Sequence, residues 1–128
     1  MSENSKKDII AFVSEFCERK TSYDALIEKN MHSAADAIVD ELRDMPASVR
    51  IRSGWENYAS KFRPDQFWLE LSGGGPATRI IGELDNHAEV YSVQAQHQDW
   101  FEPWTDLVLD EQEEKAVKWF ASLFYYGG

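Results

Sequence analysis

Three histidines, His32, His87 and His97, stand among carboxylates, the side-chain mixture from which metal centres and acid–base sites are built. Their spacing does not follow that chemistry. His97 and Asp99 are two residues apart, and neither an HExxH run nor a paired Cys/His spacing occurs anywhere. His87 falls in an expected turn and His32 on an expected helix, so no metal site and no cofactor are expected. Glu102 and Asp106 form a carboxylate pair that would do acid–base work only if a pocket raised one pKa; solvated acids are the plainer expectation. Cys17 sits on an apolar helical stripe without a neighbouring base and reads as a small packed hydrophobe. Ser53, Ser72 and Thr78 lack the elbow sequence of hydrolase nucleophiles. The run Gly73-Gly74-Gly75-Pro76 lacks the Lys-Ser or Lys-Thr of a phosphate loop and precedes a strand, so it reads as a permissive hairpin loop. No catalytic signature is present, and no catalytic residue is assigned. The one enzymatic or ligand-binding alternative is a cleft, of a small-ligand-binding domain or a hydrolase, built from His97, Asp99, Arg50 and Arg52.

The residues of Gln96–Thr105 suggest recognition instead. Trp100, Phe101 and Trp104 alternate with acids in an expected irregular connection, and surface aromatics with a polar rim are the usual anchors of protein interfaces. Phe101, Trp104 and Trp68 are the candidate aromatic anchors, Trp68 because it falls on the polar face of its strand. The structural alternative is that Trp100 and Trp104 plug one end of the core; Trp55 is ambiguous in the same way. Charge points to the same region. From Ile80 to Glu114 there is no Lys or Arg but ten acids, equal to the whole net charge of −10. Asp99, Glu102, Asp106, Asp110, Glu111, Glu113 and Glu114 form the candidate acidic surface for a partner. A single-sign field of this kind steers an oppositely charged protein, whereas direct binding of nucleic acid needs Lys and Arg. The alternative is an acidic coat that only maintains solubility.

Periodicity supplies the elements that must position these groups. Ile9, Phe12, Val13, Phe16 and Cys17 recur at helical spacing and predict a helix over Lys6–Arg19, with Ser5 and Asp8 as a variant capping box. A second helix is expected from Thr21 or Ser22 to Leu42, with a kink at Asn30–Ser33 and an end before Pro46. The pattern then alternates. Strands are expected at Val49–Ser53, Phe67–Leu71, Thr78–Leu84 and Glu89–Gln96, with turn chemistry at Pro64-Asp65 and at Asp85-Asn86-His87. Asp110 and Glu113 announce the capping box of a last helix, whose buried stripe is Ala116, Val117, Phe120, Leu123 and Phe124. The aromatic run Phe124-Tyr125-Tyr126 is expected to pack back on the sheet with its hydroxyls at the edge.

The fold class these elements imply is α+β: a two-layer domain with a four-stranded antiparallel meander, two N-terminal helices and one C-terminal helix packed on it. A chain of 128 residues with 43% hydrophobic and 28% charged residues suits one globular domain over residues 1–128. No apolar run approaches the ~20 residues of a membrane span and no apolar leader opens the chain, so a cytoplasmic setting is expected. The lone Cys17 agrees with a reducing compartment. The oligomeric state expected is monomer or homodimer, the dimer forming through the Trp68 face if that face is open.

Four blocks, Ser48–Trp55 (SVRIRSGW), Leu69–Leu84 (LELSGGGPATRIIGEL), Gln94–Thr105 (QAQHQDWFEPWT) and Trp119–Tyr126 (WFASLFYY), resemble a family of small proteins encoded on bacteriophages and bacterial mobile elements. The GGPAxRI and QDWxxPWT pieces carry the likeness, and Asn86-His87 depart from it where a glycine often closes the hairpin. The resemblance implies a phage or bacterial origin and an intracellular setting, and it transfers no functional residue. The expected function is therefore a non-enzymatic acidic binding protein, an inhibitor of a host defence or nucleic-acid-handling protein of anti-CRISPR or anti-restriction type with a DNA-like charged surface.

Overall fold

The computed structural model describes residues 4–53, 64–72 and 76–126. Trp55, the tip of the Gly73–Pro76 run and most of the expected 54–65 connection lie outside the described residues. Helix α1 runs Asn4–Glu28 as one rod, and α2 follows at His32–Arg43. The expected break at Arg19–Ser22 does not occur. Thr21 Oγ1 donates back to the Cys17 carbonyl at 3.0 Å, which lets a residue that usually caps helices sit within one. The break falls at Asn30, where only a kink was expected. Asn30 takes a left-handed φ of 60°, its amide donates to the Ile27 carbonyl and the Met31 amide donates to the Leu26 carbonyl. That paired closure is a Schellman motif, with Asn in the position glycine usually holds.

Among the described residues the sheet has five antiparallel strands in the order β1 (Ser48–Ser53), β2 (Pro64–Ser72), β3 (Ala77–Leu84), β4 (Val90–Gln98) and β5 (Thr105–Leu107). The meander is as expected, but it carries a fifth strand. β5 has three residues, too few for an alternating pattern to register, and it forms because Leu107, Asp106 and Thr105 find partners in Ala95, Gln96 and His97. Pro64 and Asp65 open β2 instead of making a turn, since a proline at the first strand position removes no ladder bond from the interior.

Phe67, Leu69, Ile80, Val93 and Ala95 carry the inner face of the sheet, packed under Ile9, Val13 and Phe16 of α1 and Val117 and Phe120 of α3 (Glu111–Ala121). The Phe16 and Phe120 rings stack at 4.0 Å and join the two helices. α1 and α3 meet β4, while α2 packs chiefly on α1. Val49 and Ile51 share the inner face through their partners Leu69 and Phe67, yet stay 45% and 40% exposed on the edge strand. The α3 capping box forms as expected: the Glu113 amide donates to Asp110 Oδ1 at 2.8 Å, and the Asp110 amide donates to Glu113 Oε1 at 2.9 Å. Tyr126 packs against Phe67, but its hydroxyl is buried and donates to the Ala121 carbonyl at 2.7 Å, not placed at the edge. No helix among the described residues is long and apolar enough to cross a membrane.

Candidate functional site

The cleft alternative does not assemble. Arg50 and Arg52 pair with Trp68 and Gln66 on the sheet face turned away from the helices. His97 pairs with Thr78 on the inner face, three strands away from β1, a separation of about 14 Å at ordinary strand spacing. Period-two alternation puts the two groups on opposite faces, which spacing along the chain does not reveal.

His97 does meet a hydroxyl. Its Nδ1 lies 3.2 Å from Ser5 Oγ, and Asp99 Oδ1 accepts from the Ser5 amide at 3.3 Å. The trio has the composition of a nucleophile triad without its geometry. Ser5 is fully buried, and Asp99 holds a backbone amide instead of the imidazole. Physically it is a cap supplied through space: a carboxylate at the positive end of α1 satisfies an amide that the helix leaves free. Asp99 is thus tied down, and the Ser5–Asp8 capping box gives way to this tertiary one.

The β4–β5 connection presents the aromatics. Phe101 is 100% exposed and holds a left-handed φ of 61°, a conformation that costs a bulky residue energy. Trp100 beside it is 63% exposed, with ring centroids 6.2 Å apart. The Glu102 amide donates to the Asp99 carbonyl, and Gln98 Nε2 donates to the Glu102 carbonyl at 2.9 Å, which closes the turn. Neither Trp100 nor Trp104 belongs to the core, so neither plugs it. Trp104 is half-buried and turns onto the outer sheet face, where Arg79 Cζ lies 3.8 Å from its ring centroid and 5.5 Å from that of Trp68. Trp68 therefore lies on the outer face as expected, half-buried beside an arginine.

The acids divide. Asp85 and Glu89 close the β3–β4 hairpin, and β4 separates them by about 25 Å from Asp99 and Glu102 at its other end. Asp106 is occupied by Gln96 at 2.6 Å and Gln94 at 3.4 Å, and Asp110 and Glu113 by each other. Among the described residues, Glu111 is the one acid of the 99–114 set with a cation within 4.0 Å, and that cation is Lys115 of its own helix. Glu102, Glu111 and Glu114 are exposed. Near α3, burial and the charges of Glu113 and Asp110 push the Cys17 thiol above its usual pKa, away from nucleophile behaviour. No group of three or more His, Cys, Asp or Glu side chains among the described residues is placed to hold a metal ion.

Two participants escaped sequence reasoning, Arg79 and Gln96. The one available signal was that Arg79 directly precedes the long base-free stretch and shares a strand face with Ile81 opposite Trp68. Comparison with protein-family models, with curated proteins and with solved structures returned no match.

Proposed function

We propose that this chain is a non-enzymatic binding protein that docks a basic surface of a protein partner through the β4–β5 turn and the edge leading into α3. The observation that carries the reading is Phe101: a wholly exposed phenyl ring held in an unfavourable backbone conformation, beside a second exposed aromatic. Burying one such ring in a partner pocket is worth about 2 kcal/mol or more at an interface hot spot. Glu102 adjoins Phe101 in the chain, while Glu111 and Glu114 stand at the start of α3, beside the Cys17 region of α1. No distant Lys or Arg among the described residues pairs with the three, and their charge supplies steering. Carboxylates so displayed would take the place of phosphates in a basic nucleic-acid channel. A host defence or nucleic-acid-handling protein is therefore the partner class, in keeping with a phage or mobile-element origin.

The test is capture of basic proteins from bacterial lysate on the immobilised chain. Phe101→Ala should lower retention of a captured partner about 30-fold without lowering the melting temperature. Triple replacement of Glu102, Glu111 and Glu114 by Lys should weaken it further, whereas Asp110 and Glu113 must be left intact because their box starts α3. Binding should fade as ionic strength rises from about 0.05 M to about 0.5 M. Capture indifferent to salt and to Phe101→Ala would overturn the proposal.

A further inference from the structure

The outer face of the sheet holds an arginine whose chemistry is unfinished. Arg79 on β3 faces Glu70 of β2 and Gln96 of β4 in register. Its Nε donates to Gln96 Oε1 at 2.8 Å, and Gln96 Nε2 donates to Asp106 Oδ1 at 2.6 Å. Asp106 thereby fixes the Gln96 amide with its carbonyl toward the guanidinium. Trp104 and Trp68 wall the group at 3.8 and 5.5 Å. Glu70, the carboxylate that register places opposite, is drawn elsewhere: it accepts from Ser48 Oγ at 2.6 Å and lies 3.4 Å from Arg50 Nε. Among the described residues, Arg79 therefore makes no ion pair, and its two terminal nitrogens meet no acceptor. A half-buried guanidinium with a neutral partner on Nε and an open fork is preorganised for one bidentate anion. Its partial withdrawal from water lowers its pKa, and the nearby Glu70 carboxylate acts in the opposite direction.

A groove of about 410 Å³ adjoins it on the same face, lined by Gln66, Trp68, Ile81, Glu83, Ser92 and Gln94. Trp68 belongs to both the groove and the arginine stack. Ile81 lies two residues beyond Arg79, about 7 Å along the strand, and pairs with Trp68 on one side and Gln94 on the other. Glu83 closes the far end with negative charge, so an anionic ligand has one favourable orientation. We propose that this face binds a small hydrophobic carboxylate, with its carboxylate on the Arg79 fork and its apolar body over Trp68 and Ile81. The size of the groove suits an aryl-acetic or aryl-propionic acid, and a planar two-oxygen head matches the guanidinium better than a multiply charged phosphate does on a chain of net charge −10. This site is separate from the Phe101 turn and stands or falls independently of the partner reading.

The experiment is titration of the full chain with phenylacetate and indole-3-acetate, followed through the indole N–H and arginine Nε–H resonances. Saturable shifts at Trp68, Trp104 and Arg79 with a Kd of about 1 mM or tighter are expected. The corresponding primary amides should bind at least about tenfold more weakly, and Arg79→Lys should lose about tenfold because a lysine has no fork. If Arg79 variants fail to fold, Ile81→Glu tests the same geometry by placing a carboxylate in the groove, and it should abolish the shifts. Acids and amides binding alike, undiminished binding to a folded Arg79→Met or to Ile81→Glu, or no saturable shift with either acid would overturn the proposal.

Discussion

Tyr126 shows how one side chain ties the tail of the chain to its core. The ring packs 4.9 Å from Phe67, and the hydroxyl, out of water, donates to the Ala121 carbonyl. Burial pushes the phenol far above its usual pKa of 10.0. A raised folded-state pKa means that the neutral phenol's contribution is complete below pH 10 and is lost as pH rises beyond it, where the unfolded chain ionises first. Tyr126→Phe should therefore cost about 1 kcal/mol below pH 10, the net worth of one hydrogen bond, and the difference should shrink above it. Urea denaturation of both proteins on either side of pH 10 measures this, and a pH-independent difference would contradict it. Positive φ at Ala88 and Phe101 contrasts with such anchoring. At Ala88 the hairpin is held by Asp85, whose Oδ1 accepts from the His87 and Glu89 amides at 2.8 and 3.0 Å and whose pKa those amides lower. Phe101 takes its positive φ in a turn closed by the Glu102 amide and Gln98 Nε2, with its ring wholly outside the core.

Between elements, the close fit of β3 to its neighbours depends on a missing side chain. Gly82 pairs with Phe67 and Val93 on the inner face. A Cβ built there meets the Ser92 carbonyl oxygen at 1.9 Å and the Phe67 ring at 2.7 Å. Gly82→Ala must push strand or ring aside, at a cost of about 1–3 kcal/mol, readable as a lower urea midpoint with an unchanged slope. A neutral substitution would show that β3 and β4 yield more than their packing implies. Helix boundaries were the least legible element feature. Thr21 and Ser22 look like caps, but the stripe of Phe12, Phe16, Tyr23 and Leu26 stays packed on the core and carries the helix past them. Sequence revealed the α3 box because both partners lie within four residues. It hid the Asp99–Ser5 cap because its partners are 94 residues apart.

Across the molecule, charge is carried with little internal compensation. The ion pairs among the described residues, Arg19 with Glu15 and Glu41, Lys20 with Asp24, Arg50 with Glu70 and Lys115 with Glu111, leave most of the acids between Ile80 and Glu114 unmatched. Self-repulsion at net charge −10 should therefore weigh against the folded state. Raising salt from about 0.01 M to about 0.2 M at neutral pH should raise the melting temperature by screening it. A fall would mean that attractive pairs dominate instead.

The amino-acid order alone determined the class, the antiparallel meander, the capped last helix and the uneven charge, because each depends on neighbours within a few residues. Whether the aromatics at 100–104 fill the core or face solvent was left to the tertiary structure. The tertiary structure decided the rest. It set the strand register that parts Arg50 from His97, recruited β5, spent Asp99 and Asp106 on internal bonds and brought Trp68, Arg79 and Trp104 together. Those outcomes depend on which distant segments lie side by side, and such pairings are fixed by burial of the shared core, not by any local pattern.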